Sequence, residues 1–83
     1  MNKFDRLCEQ LFKTNIPFSR NERMISIRPD NTDRSIYMSV YAGASSYCWC
    51  KRISNTIESG ATENLQNLLA CIMNFYADYE NTP

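Results

Sequence analysis

The stretch SIYMSVYA, residues 35–42, decides the fold because it alternates without interruption between two sets of side chains. Ile36, Met38 and Val40 fall at every second position, and Tyr37 and Tyr41 fall between them. Successive side chains of a β-strand point to opposite faces of a sheet, so the pattern predicts a strand with one buried apolar face. The intervening positions predict a second face that carries tyrosine and serine.

Two further strands are predicted, one on each side of this stretch along the chain. MISIRP, residues 24–29, alternates Ile25 and Ile27 with other side chains and ends at a proline, which cannot donate to a ladder. SYCWCKRI, residues 46–53, follows a short turn at residues 43–45 and predicts the third strand. Because turn formers at 29–33 and 43–45 separate the strands, we expect antiparallel hairpins and a three-stranded meander.

An amphipathic helix is predicted at each end of the chain. The first covers residues 2–14, where apolar side chains recur at helical spacing, and Pro17 favours an end before Ile16. Its apolar stripe consists of Phe4, Leu7, Cys8, Leu11 and Phe12. The second helix covers residues 63–80, with Thr62 as its N-cap, and residues 55–61 are interpreted as a connector.

The predicted fold is therefore a single small α+β domain, residues 1–83, in the order α-β-β-β-α. Both helices must bury their apolar stripes, so we expect them to pack on one face of the sheet and to leave the other face open. The element order is similar to that of double-stranded-RNA-binding domains. Members of that family carry a lysine cluster before the last helix. This chain lacks the cluster, because residues 60–64 read GATEN and no basic residue follows Arg52.

The stretch SYCWCKR, residues 46–52, determines the composition of the open face. In a strand Cys48 and Cys50 point one way, whereas Tyr47, Trp49 and Lys51 point the other way. Free cysteine behaves as a small apolar side chain, so we expect Cys48 and Cys50 to face the core. The alternative register buries Tyr47 and Trp49, which removes more apolar area from water.

The preferred register predicts an aromatic sheet face with a basic margin. The candidate partner-binding residues are Tyr37, Tyr41, Tyr47, Trp49, Arg28 and Lys51. Tyrosine, tryptophan and arginine are enriched in binding hot spots, and monomers rarely expose large apolar patches without a use. The sequence therefore predicts a non-enzymatic module that binds another protein, or a second copy of itself as a homodimer, through this face.

Single-stranded nucleic acid or RNA is the alternative partner, because aromatic platforms beside cations stack bases. It ranks second because nine basic residues balance nine acidic ones, and phosphate contacts normally dominate nucleic-acid affinity. The size and the lack of a catalytic constellation are typical of inhibitors and adaptors, such as the anti-restriction and anti-CRISPR proteins of phages and mobile elements. That last expectation rests on analogy alone.

Catalytic and metal-binding roles are not expected. The chain has no histidine and two glycines, so it offers neither a tuned acid–base pair nor a glycine-rich phosphate loop, and we expect no small-molecule substrate and no cofactor. Cys48-x-Cys50 is spaced more tightly than paired zinc ligands usually are. No stretch is apolar enough for a membrane span or a secretory signal, so we expect a cytoplasmic protein with reduced cysteines.

Overall fold

The fold consists of one antiparallel sheet and two helices. The computed structural model describes residues 3–30, 32–43 and 45–81 of the 83-residue chain. The elements are α1 (Lys3–Lys13), β1 (Ser19–Arg20), β2 (Met24–Ile27), β3 (Ile36–Ala42), β4 (Tyr47–Ile53), β5 (Thr56–Thr62) and α2 (Leu65–Glu80). The strands lie in the order β1-β2-β3-β4-β5, each antiparallel to its neighbours. Asn2, Asn31 and Ala44, which fall within predicted helix and turn segments, lie outside the described residues.

The α+β class is confirmed, but the three-stranded meander and the order α-β-β-β-α are wrong in detail. The described residues form five strands between two helices, since β1 adds to β2 and the presumed connector forms β5. The stretch TIESGAT, residues 56–62, has one large apolar side chain, Ile57, so it carries no alternation that predicts a strand. Its pairing with β4 follows a two-residue turn in which Ser54 has a φ of 56°.

One hydrophobic core lies between the helices and the inner face of the sheet. The predicted sheet contribution is confirmed, because Ile25, Ile27 and Val40 have no exposed surface, and Ile36 and Met38 are also buried. The helices contribute Phe4, Leu7, Leu11, Leu68, Ile72 and Phe75.

Two details of the helices differ from the sequence-based prediction. Phe12 is 80% exposed and lies outside the core, because it follows Leu11 by about 100° around the helix and so leaves the buried stripe. The helix α2 begins two residues later than predicted, with Asn64 as its N-cap in place of Thr62. The Asn64 Oδ1 accepts hydrogen bonds from the backbone N–H of Gln66 at 2.7 Å and of Asn67 at 3.3 Å.

Candidate functional site: the outer face of the sheet

The strand β4 lies in the alternative register, with Tyr47 and Trp49 facing the core and the two cysteines facing away from it. Ala42 pairs with Tyr47 and Val40 with Trp49, so both aromatic side chains share the inner face with Val40. The connection between β3 and β4 is residues 43–46, one residue longer than the predicted turn, and a shift of one residue moves every side chain of a strand to the other face. The expectation that Cys48 and Cys50 face the core is therefore wrong, because both lie on the outer face, where Cys48 is exposed and Cys50 is partly exposed.

The burial of Tyr47 explains why this register is stable. Tyr47 is 3% exposed, and its hydroxyl donates to the backbone carbonyl of Lys3 at 3.2 Å, which ties β4 to the start of α1. Burial raises the pKa of the Tyr47 hydroxyl. The aromatic ring removes more apolar area from water than a cysteine thiol would, and its single polar atom keeps a partner.

Trp49 lies half-buried on the inner face, where β5 leaves room for it. A methyl group built on Gly60 would lie 2.7 Å from Cζ2 of Trp49, so the indole rests directly on the glycine backbone. The Lys51 ammonium lies 5.8 Å from the centre of the indole ring and 3.5 Å from a carboxylate oxygen of Glu58. The Lys51 side chain is 16% exposed, so its ammonium is largely covered, and it interacts with both the indole and Glu58.

The six predicted binding residues therefore divide between the two faces. Tyr47, Trp49 and Lys51 lie on the inner face, where their predicted exposure is wrong. Tyr37 and Tyr41 lie on the outer face, as predicted. Arg28 is exposed directly after β2 and lines a shallow concavity with Ser19 and Ser26.

The outer face of the sheet is the side that points away from the two helices. Its strand residues are Ser19, Met24, Ser26, Tyr37, Ser39, Tyr41, Cys48, Cys50, Arg52, Ile57, Ser59 and Ala61. Ile57 is 60% exposed and Tyr41 is 45% exposed, so large apolar side chains of this face lie open. This open apolar surface makes the outer face the candidate site.

The outer face has the shape of a trough. One row of small side chains crosses all five strands through directly paired positions, and consists of Ser19, Ser26, Ser39, Cys50 and Ser59. Larger side chains flank this row on both sides, with Met24 and Tyr41 on one side and Tyr37, Arg52 and Ile57 on the other. Tyr37 and Tyr41 are four residues apart along β3, so the Cα atoms of the two walls stand about 13 Å apart.

The strand residues of the outer face carry positive charge only. None of its strand residues is acidic, whereas Arg52 lies directly opposite Tyr37 and Arg28 lies beside the same end of the sheet. The Arg52 Nε donates to the backbone carbonyl of Ser54 at 2.7 Å, which holds the guanidinium at this end. Carboxylates lie at the margins of the face. At one end Glu22 and Arg23 line a concavity with Met24 and Tyr41. In the loop at the other end, the Ser35 hydroxyl and backbone N–H lower the pKa of Asp33, and nearby Arg52 lowers it further.

The structure adds Arg52 and Ile57 to the candidate site, which sequence reasoning missed. The face on which each side chain lies depends on the length of a connection. The four residues between β3 and β4 place Arg52 on the outer face, and the two residues between β4 and β5 place Ile57 there. Within residues 3–30, 32–43 and 45–81, no group of three or more histidine, cysteine or carboxylate side chains could hold a metal ion. The arrangement offers stacking, apolar contact and guanidinium hydrogen bonds.

Comparison with known proteins adds no assignment. No protein-family model matches the chain, and neither a curated protein nor a solved structure matches it. None of the helices in the described part of the chain is long and apolar enough to cross a membrane.

Proposed function

We propose that this chain is a non-enzymatic binding module that holds a segment of another protein across the outer face. The observation that carries the proposal is the combination of two tyrosines, Ile57 and two arginines on a helix-free sheet face whose strand residues include no carboxylate. Tyrosine and arginine are the side chains that most often supply binding energy at protein interfaces. An acidic and apolar partner segment complements such a surface.

The dimensions of the trough favour an extended segment as the bound element. The Cα atoms of Tyr37 and Tyr41 are about 13 Å apart, and their side chains narrow the gap between them, so it is too narrow for an α-helix about 10–12 Å across. The serine and cysteine floor lets a backbone approach the sheet closely, and Tyr37 and Tyr41 contact it from either side. The partner segment would therefore run across the strands, along the row of small side chains.

Single-stranded nucleic acid is a second candidate, because Arg52 and Tyr37 lie side by side on neighbouring strands of this face. A base stacks on an accessible tyrosine, and a guanidinium binds phosphate beside it. It ranks second because the basic residues are few, with Arg28 and Arg52 at one end of the face and Arg23 at the other. Few phosphate contacts give weak binding at physiological salt.

The test is affinity capture with the wild-type chain, followed by direct titration of the purified partner. The variant Tyr41→Ser/Arg52→Ser removes one side chain from each wall of the trough. The matched control Phe12→Ser/Met73→Ser removes two side chains that are more open than Tyr41 and Arg52 but lie on the helices, with exposures of 80% and 53%. We expect the outer-face variant to bind at least about 30-fold more weakly, as for a hot-spot tyrosine, and the control to bind normally.

The result that contradicts the proposal is unchanged binding by Tyr41→Ser/Arg52→Ser together with loss of binding by the control. Fluorescence anisotropy with labelled oligothymidylate and oligouridylate distinguishes the second candidate. A nucleic-acid site would bind these probes and weaken steeply as salt rises, whereas a mainly aromatic protein interface weakens far less.

A further inference from the structure

The strand β5 is an open edge of the sheet. Among the described strands its only neighbour is β4, and residues 56–61 are exposed throughout. The opposite edge is the two-residue strand β1, so β5 provides the only long edge in the described part of the sheet. Sheet edges are usually protected by charged side chains, proline or a covering segment. The strand β5 has no proline, and its one charged residue, Glu58, is paired with Lys51 of the same chain at 3.5 Å.

The unpaired backbone groups of β5 belong to alternate residues. Ile53 and Thr56 pair directly across a two-residue turn, and such a closing pair exchanges two backbone hydrogen bonds. Because hydrogen-bonded and non-hydrogen-bonded pairs alternate along an antiparallel ladder, the amide and carbonyl groups of the residues between them point away from β4. These outward residues are Ile57, Ser59 and Ala61.

The sequence of β5 is nearly symmetric about its central residue. TIESGAT has threonine at both ends, an apolar residue inside each threonine, and Ser59 at the centre. A twofold antiparallel interface places residue i opposite residue j and j opposite i, so it requires this kind of self-complementarity. We propose that two copies of the chain associate through β5, in antiparallel register, with Ser59 opposite Ser59 of the second copy.

The side chains fit this register. Ile57 lies opposite Ala61 of the second copy, which joins two apolar side chains on the outer face. Glu58 lies opposite Gly60, so the two Glu58 carboxylates do not face one another, and each keeps its own Lys51 at 3.5 Å. Ser59 and the other two outward residues then form three hydrogen-bonded pairs with the second copy. Each pair exchanges two backbone hydrogen bonds, so the interface forms about six.

The product is one ten-stranded antiparallel sheet with the helices of both copies on the same side. The two outer faces then form one continuous surface, and the rows of small side chains meet at Ser59. This inference concerns the sheet edge and does not depend on the outer face binding another protein.

Sedimentation equilibrium over a wide concentration range tests the association, with the purified full chain alone in solution. The variant Ser59→Lys places two like charges directly opposite each other at the twofold axis while leaving the pairing of β5 with β4 intact. We expect its dimer dissociation constant to rise about fivefold, which corresponds to about 1 kcal/mol for the cross-strand pair. The matched control Ser59→Thr keeps a neutral side chain that favours strands and should dimerise as well as wild type.

Amide hydrogen exchange identifies the interface. In the dimer, the amides of Ile57, Ser59 and Ala61 should be protected, and in Ser59→Lys the amides of Ile57 and Ala61 should exchange freely while that of Glu58 stays protected. Circular dichroism establishes that Ser59→Lys is folded. A wild-type chain that stays monomeric overturns the proposal, and so does a dimer in which those outward amides exchange as fast as in the variant.

Discussion

Replacement of Gly60 by alanine tests the contact that positions Trp49. The added methyl group would lie 2.7 Å from Cζ2 and 3.1 Å from Cε2 of the indole, distances that require the ring to move. Movement of a packed side chain by one extra methyl group costs about 1–3 kcal/mol. Alanine also restricts the unfolded chain, which favours folding by about 0.5–1 kcal/mol relative to glycine. We therefore expect Gly60→Ala to lower the free energy of unfolding by about 1–2 kcal/mol.

The assay is urea unfolding followed by circular dichroism, in the Ser59→Lys background and at a protein concentration well below its dimer dissociation constant, so that association does not contribute. In a parallel thermal unfolding experiment, the melting temperature should fall by about 4–16 °C for a protein of this size. The chain has one tryptophan, so its emission reports this contact alone, and displacement of the indole into water should shift the emission to longer wavelength. A double-mutant cycle with Trp49→Leu isolates the pair.

In the Trp49→Leu background the same glycine replacement should be neutral or stabilising by up to about 1 kcal/mol, because the obstructing ring is absent. An equal loss of stability in both backgrounds would mean that position 60 requires glycine for its backbone conformation and not for the contact with the indole. A Gly60→Ala protein that is more stable than its parent would refute the contact itself.

Three further predictions follow from single side chains. The Tyr76 hydroxyl is buried without a hydrogen-bond partner among the described residues, so Tyr76→Phe should keep or raise stability, whereas Tyr47→Phe loses a hydrogen bond and should cost about 1 kcal/mol by thermal unfolding. Asn64→Ala should cost about 1 kcal/mol by removing the N-cap of α2, and Asn64→Asp should restore the stability; equal losses in both variants would contradict the capping role. Ser35→Ala should return the pKa of Asp33 towards 3.8 in an NMR titration, since the Ser35 hydroxyl is the largest cause of its lowering. A carboxyl pKa that is lowered by folding stabilises the fold above the unfolded-state pKa, and this contribution is lost as the pH falls through the folded-state pKa. Wild type should therefore be more stable than Ser35→Ala at neutral pH, and the difference should shrink as the pH falls.

The sequence predicted the central strand well because only one of its two faces can be buried. Residues 36, 38 and 40 are aliphatic, and the residues between them are tyrosine and serine, so the buried face is unambiguous. The helix α1 was predicted from its apolar stripe, and only Phe12 at its margin was misplaced. These elements carry a strong apolar period and need no long-range contact to identify them.

The candidate site was predicted in part. Tyr37 and Tyr41 follow directly from the alternation of β3, whereas the contribution of β4 was assigned to the wrong face. In residues 47–53, apolar side chains occur at both the odd-numbered and the even-numbered positions, so the local pattern favours burial of neither face strongly. The strand β5 carries almost no apolar pattern, and its contribution of Ile57 to the outer face could not be predicted without its pairing to β4.

By itself the sequence determined the α+β class, the two amphipathic helices and the buried face of β3, because those properties depend on periodicity within one segment. Tertiary structure decided which face of β4 is covered and whether residues 56–62 are a strand. Both follow from the pairing register of the strands. The connection at 43–46 determines that Tyr47 and Trp49 face the core, and Gly60 on β5 provides the space in which the indole lies. A local pattern cannot specify register when both faces of a strand can be buried, because the choice rests on contacts with residues distant in the chain.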